Sequence, residues 1–343
     1  MRRRHLAVVP FAAAATVGAA VWVRRVVLPS RPDDVPTARP RRIPDPDARP
    51  ALDGAGVRLA VNPHSGPAWR GNPIERLRDS LPAADVRELG PDDDLVAVLS
   101  DGVDDDVVAV GAAGGDGTLS AAATVALAHG RVLVAVPSGT FNHLARDLGL
   151  DEPDDAVAAV RAGTVTHMDV GVVAADGERR TFLNTLSFGG YTAVVDARER
   201  LQPRLGKWLA LAVALATELP RMTPLDLELD GRRRPVWLGW IGNGRYAPEG
   251  FGPSWREELD DGVLDVRLVL GDRRGARMRL LADVLAGRLL RSPVYREERV
   301  ASLSIVSHDG PLRLAVDGET FDGADHVDVT KLRRALAVAV PPV

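Results

Sequence analysis

Between Val57 and Thr166 the chain repeats one pattern: an apolar run of strand length, a turn, then a stretch with helical spacing. VRLAVNP (57–63) leads into PIERLRDSL, the short run DVREL into DDDLVAVLSDG, DVVAVGA into a glycine-rich turn and helix, and RVLVAVP into SGTFNHLARDLG. Continuous apolar strands alternating with helices predict a parallel sheet covered on both faces. The Asp residues that open DDDLVAVLSDG suit the positive end of a helix dipole.

After Thr166 the pattern changes. MDVGVV, RRTFLNTLSF, LDLELDG, RPVWLGWIGN, GVLDVRLVL, ERVASLSIVS, PLRLAVDGE, HVDVT and ALAVAV are mostly strand-like, and Asp-Gly turns separate many of them. Two helical stretches interrupt, at 191–219 and 275–290. Strands that follow βα units predict a second, largely antiparallel β domain, with the cleft between the two as the default site.

AGGDGTLSAAATVAL (113–127) joins an apolar strand to a helix through Gly114, Gly115 and Gly117. Glycine lets backbone approach an anion and adopt positive φ, and a helix N-terminus adds free N–H groups and a favourable dipole. Asp116 is repulsive beside phosphates unless it faces a Mg²⁺ ion or orients a group that does. A tight turn with no ligand is the alternative for this loop alone. NPHSG (62–66) after the first strand and PSGTFNHLARDLG (137–149) after the third put Asn62, Ser65, Asp116, Thr118 and Thr140 along one sheet edge. Open α/β sheets bind ligands at that edge.

Composition closes off several chemistries. The 343 residues contain no cysteine, which excludes disulfides, thiolate metal sites and cysteine nucleophiles. With 43 basic and 47 acidic residues, net −4, the chain lacks the basic excess of a nucleic-acid coat, so no nucleic-acid partner is expected. Aromatic content is 4%, so the core must be mostly Ala, Val and Leu. At the N-terminus, an Arg cluster precedes a charge-free run from Leu6 to Val23, and Arg24 and Arg25 follow it. An uncleaved membrane anchor with the body of the chain facing the cytoplasm is the expectation; a cleaved signal peptide is the rival. Residues 29–56, dense in Pro, Arg and Asp, read as a semi-extended tether.

NPHSG, GGDGT, PSGTFN and DGE (Asp317–Glu319) occur in that order. In these four elements the chain resembles the lipid kinases that share the diacylglycerol kinase catalytic domain, sphingosine and ceramide kinases among them. The resemblance runs from about Val57 to the C-terminus. It implies an α/β fold: an N-terminal Rossmann-like nucleotide-binding domain with a parallel sheet, followed by a mostly antiparallel β-sandwich domain. On that reading residues 1–28 are an anchor or signal-like segment, 29–56 a linker, 57–168 the ATP-binding domain, and 169–343 the lipid-substrate and catalytic domain.

The same resemblance implies ATP and Mg²⁺ as cofactors. It places Asn62, Pro63, Ser65, Gly66, Gly114, Gly115, Asp116, Gly117, Thr118, Thr140 and Asn142 at the nucleotide, Glu319 as general base, and Asp317 in support. From the residues alone, DG at 317–318 reads equally as a hairpin turn with solvated carboxylates. Many relatives carry Asp where this chain has His143, which opens a direct role for His143 near phosphate beside a purely structural one. WREELDDGVLDV (255–266) matches a loop that in bacterial relatives holds a structural Mg²⁺. The matching positions are Glu258, Asp261 and the carbonyl of Val263; a charged hairpin is the alternative. The apolar stretch 204–219 reads as a core helix, or as a wall for an acyl chain or a surface resting on the membrane.

The expected function is thus an ATP-dependent lipid kinase with diacylglycerol as leading acceptor. A membrane lipid substrate and a membrane surface are its expected partners, and a homodimer stays open. An NAD-kinase-like enzyme with a soluble substrate and a non-catalytic nucleotide or lipid binder are the rivals.

Overall fold

The computed structural model describes residues 51–342, except 64–72, 140–141, 206–212, 214–216, 219–221, 248, 250–254, 272–274, 277–278, 280–282 and 284–287. Strands β1 (Val57–Val61), β2 (Asp85–Glu88), β3 (Ala109–Gly114) and β4 (Val132–Pro137) lie parallel in the order β2-β1-β3-β4. Every residue of β1 and of β3 is buried, as their unbroken apolar runs require of a sheet covered on both faces.

Helices α1 (Ile74–Ser80), α2 (Leu95–Ser100), α3 (Asp116–His129), α4 (His143–Asp147) and α5 (Pro153–Ala162) supply the cover. Leu99, Leu119, Ala122 and Leu144 share one core with Val110 and Leu133, while Leu77, Val157 and Val160 share another with Leu59 and Val134. Alternate residues of each strand therefore serve opposite faces. The acidic start of α2 acts as read: the Asp94 side chain accepts from Val96 N at 2.9 Å.

The second half begins with β5 (Val165–Ala175), β6 (Glu178–Phe182), β7 (Thr185–Gly189) and helix α6 (Gly190–Leu205). It continues with β8 (Leu225–Leu229), β9 (Arg232–Asn243), β10 (Tyr246–Ala247), β11 (Trp255–Arg256), β12 (Leu264–Leu270) and β13 (Tyr295–Val300). It ends with β14 (Leu303–Ser307), β15 (Arg313–Val316), β16 (Glu319–Asp322) and β17 (His326–Ala339). Pairing among β5 to β17 is antiparallel throughout these strands. A scarce aromatic supply is concentrated here. Phe182 faces Gly171 and Phe188 faces Gly239 across neighbouring strands, and a Cβ at either glycine would lie 2.2 or 2.0 Å from the ring. Each ring fills the space its glycine leaves.

Three sequence expectations change in detail. ERVASLSIVS is two strands, β13 and β14, broken at Ala301–Ser302. RRTFLNTLSF is two strands, broken at Leu183–Asn184. HVDVT and ALAVAV are one strand, β17, whose register against β5 shifts between Leu332 and Leu336. Through Val338 opposite Leu133, β17 also lies parallel to β4, and it joins the two halves into one sheet path.

The expected membrane location is corrected. No helix among the described residues is long and apolar enough to cross a membrane. The Leu6–Val23 run on which that expectation rested lies outside the described residues. The same is true of most of the apolar stretch 204–219, of which α6 contributes only the start.

Candidate active site

The glycine loop leaves β3 at Gly114 and enters α3 at Asp116. Its neighbours on the same edge are Asn62, whose N–H donates to the Ala113 carbonyl at 3.0 Å, and Ser138, whose N–H donates to the Gly114 carbonyl at 3.3 Å. Gly114, Gly115, Gly117 and Gly139 all lie outside the positive-φ region, so the loop does not need glycine for backbone freedom. It needs it for space. A Cβ on Gly139 would lie 2.4 Å from Gly115 Cα, and one on Gly114 would lie 2.4 Å from Thr118 Cβ.

Asn142 holds this approach together. In the left-handed region at φ 50, it accepts from Gly139 N (2.9 Å) and donates to the Gly139 carbonyl (3.1 Å). Its side chain is thus engaged with its own loop. Asp116, half-buried, accepts from Leu144 N at 3.3 Å and so ties α3 to α4. His143 opens α4. Pro63 ends the described part of the first motif; Ser65, Gly66 and Thr140 lie outside the described residues.

Asp317 and Gly318 form the turn between β15 and β16, with φ 48 and 95. Successive positive φ values are the mark of a type I′ hairpin. The turn is also docked. Asp317 Oδ1 accepts from Asn184 N and Thr185 N, both at 2.8 Å. Its Oδ2 accepts from Leu183 N and Ser120 Oγ, both at 2.9 Å. Burial pushes the Asp317 carboxyl up, and the four donors pull against that push. Glu319 is exposed, and its Oε1 would lie 3.2 Å from a Cβ on Gly117. The β half therefore delivers one carboxylate to the first turn of α3 and anchors another at Ser120, one turn further along.

Sequence reading missed what holds this turn. The Leu183–Asn184 break frees two of the three backbone N–H groups that Asp317 uses, the third being that of Thr185 at the start of β7, and a buried arginine fixes the break. Arg256 Nη1 donates to the carbonyls of Leu183 (2.7 Å) and Asn243 (3.0 Å), and Nη2 to Asn184 Oδ1 (3.2 Å). Its Nε pairs with Asp147 Oδ2 of α4 at 2.7 Å, and its guanidinium lies 5.1 Å from the Tyr246 ring centroid. Burial pushes the Asp147 carboxyl up, while Arg256 draws it down. Only the Arg side chain's five-donor fork can serve a carboxylate and three oxygens at once.

The acidic loop before β12 does not gather the three groups expected at a metal. Asp261 Oδ1 and the Val263 carbonyl both accept from Lys331 Nζ, at 2.9 and 2.7 Å. Asp169, absent from the sequence reading, approaches the same ammonium at 3.2 Å. Glu258 is exposed. No group of three or more His, Asp or Glu side chains suited to a metal ion occurs among the described residues.

Comparison with known proteins finds one matched region in each half of the chain. Residues 56–173 match the diacylglycerol kinase catalytic domain, and residues 185–340 match the YegS C-terminal NAD kinase beta sandwich-like domain. A protein of Stenotrophomonas maltophilia named "Probable lipid kinase YegS-like" is 32% identical over 267 residues, 73% of this chain and 82% of that one. A Mycobacterium tuberculosis protein named diacylglycerol kinase is 30% identical over 181 residues, 50% of this chain and 58% of that one. Among solved structures, a diacylglycerol kinase from Bacillus anthracis superposes with a TM-score of 0.60 over 83% of this chain and 97% of that one. At 20% identity it bears on the fold alone.

Proposed function

We propose the function from one premise: this chain belongs to the lipid kinases built on the diacylglycerol kinase catalytic domain. The reading is transfer of the γ-phosphoryl group of ATP to a lipid hydroxyl, with diacylglycerol as the acceptor and phosphatidic acid as the product. The observation that carries it is the docked DGE turn. Glu319 sits against Gly117 and Asp317 against Ser120, so a carboxylate from one half faces the phosphate-type loop of the other.

Phosphoryl transfer asks the protein mainly to position groups and offset charge. In this reading Asn62, Pro63, Gly114, Gly115, Gly117 and Thr118 hold the nucleotide phosphates, with Ser65, Gly66 and Thr140 from the neighbouring loops. Asn142 acts by keeping Gly139 against Gly115. Glu319 accepts the proton from the attacking lipid hydroxyl, and Asp317 fixes the turn that presents Glu319. A carboxylate at the first position of α3 fits a phosphate site only with a cation to face, which is the place given to Asp116. Mg²⁺, when bound with the nucleotide, spreads the charge of the transferred group.

A transfer assay tests this. The full chain with labelled ATP, Mg²⁺ and diacylglycerol in mixed micelles is expected to yield labelled phosphatidic acid. Label in another lipid of a total bacterial extract would reassign the acceptor. Label in NADP with no lipid product would overturn the reading, and so would nucleotide binding without transfer to any acceptor.

The glycine contact gives a separate prediction. Gly139→Ala places a methyl 2.4 Å from Gly115 Cα and 2.8 Å from Asn142 Oδ1, so the two loops must part. Such overpacking costs on the order of 1–3 kcal/mol, and KM for ATP is expected to rise about tenfold. Unchanged KM would place the nucleotide elsewhere.

A further inference from the structure

The loop expected to need a metal carries a cation of its own. Lys331 Nζ meets three oxygens, of Asp261, Val263 and Asp169, and its side chain is 2% exposed. An ammonium has three protons to donate. Here each has an acceptor within 3.2 Å. Both carboxylates accept from backbone N–H groups as well. Asp169 accepts from Gly262 N (2.8 Å) and Arg334 N (2.7 Å), and Asp261 from Arg245 N (2.7 Å) and Val263 N (3.0 Å). Two carboxylates and a carbonyl are a hard-oxygen set that would suit Mg²⁺. The buried ammonium already stands among them.

We propose that Lys331 is a built-in cation that replaces a structural Mg²⁺, so that this loop keeps its shape without metal. The bulge in β17 serves the arrangement. Arg334 lies in the left-handed region at φ 49 and turns its N–H onto Asp169 while Lys331 reaches the same carboxylate. The cation also connects to the candidate active site. The Asp169 carbonyl accepts from Asn243 Nδ2, which donates in addition to the Leu183 carbonyl, and Leu183 N holds Asp317. Lys331 is thus a positioning residue, three residues removed from the turn that bears Glu319. The inference is independent of which lipid is phosphorylated.

The test is thermal melting of the nucleotide-free full chain in chelator and in Mg²⁺, with metal content measured after gel filtration. Wild type is expected to melt within about 1 °C of the same temperature in both, with no retained Mg²⁺. Lys331→Met leaves two largely buried carboxylates without their cation. It is expected to lower Tm by on the order of 10 °C and to regain part of that loss in Mg²⁺, as wild type does not. Lys331→Arg, which keeps the charge, is expected to fall between them and covers the case in which Lys331→Met does not fold. A wild-type protein that loses stability in chelator and recovers it with Mg²⁺ would overturn the proposal. So would one retained Mg²⁺ per nucleotide-free chain, or a Lys331→Met variant as stable as wild type.

Discussion

Glu319→Gln is expected to lower kcat for lipid phosphorylation by about 10²–10⁴-fold, the range associated with losing a general base. Tm and KM for ATP should stay near the wild-type values. The asymmetry follows from where the side chain sits. Glu319 is exposed at the start of β16, so an isosteric amide disturbs no buried packing. Its Oε1 nevertheless lies at the first turn of α3, beside Gly117, where the hydroxyl of an acceptor must approach the nucleotide in the proposed reaction. The measurement is a steady-state split of kcat from KM for each substrate. A kcat within threefold of wild type would remove Glu319 from the chemistry. A loss confined to the lipid KM would recast it as a binding group.

The second large effect is expected at Arg256, which touches no candidate substrate atom. Its side chain is 0% exposed and that of its partner Asp147 4%, so the pair has no solvent to fall back on. Arg256→Met leaves the Asp147 carboxylate buried without a counter-charge, and leaves the Leu183 and Asn243 carbonyls without that donor. Removing one member of a buried pair costs about 3–5 kcal/mol, which urea denaturation would read as a lower midpoint. Asp147→Asn in the same background should return part of that loss, because it takes away the stranded charge. Arg256→Lys separates stability from function. A lysine keeps a positive charge near Asp147 but cannot reach all the oxygens of the fork, so Leu183 and Asn184 relax and Asp317 loses its frame. Arg256→Lys is expected to lower kcat more than it lowers stability. Equal, small effects on both would show that the network only fills space.

The difference between what the sequence discloses and what it hides follows range. VRLAV, VVAVGA and VLVAVP announce a doubly covered parallel sheet because local pattern alone decides which faces are buried. The glycine loop and the DGE turn are equally visible, since each is a handful of adjacent residues with an unusual composition. Even there the reason was only half legible. The loop's glycines answer a need for close approach, set by Thr118 within the loop and by Gly139 and Glu319 from other parts of the chain, and not a need for unusual backbone angles.

The residues that hold the site give no local signal. Arg256 sits in a run of charges that reads as an acidic loop, Asp147 in a short helix, and Lys331 two residues before a pair of Arg residues. Asp147 is 109 residues from Arg256 and Asp261 is 70 from Lys331, and only the closed fold brings each pair together. The expected metal loop illustrates the same limit. Its acidic residues were plain, but the cation that meets them comes from another strand.

The path of β17 has a consequence for how the protein must be made. β4 ends at Pro137, yet the strand that continues the sheet beside it begins only at His326. During synthesis the parallel-sheet half therefore leaves the ribosome with a bare edge on β4, and it stays so until nearly the whole second half has emerged. An exposed parallel-sheet edge is slow to find its partner and prone to pair with a neighbouring chain. Loss of β17 would accordingly do more than shorten the β half: it would strip the shared border from both halves and leave each with a sticky margin.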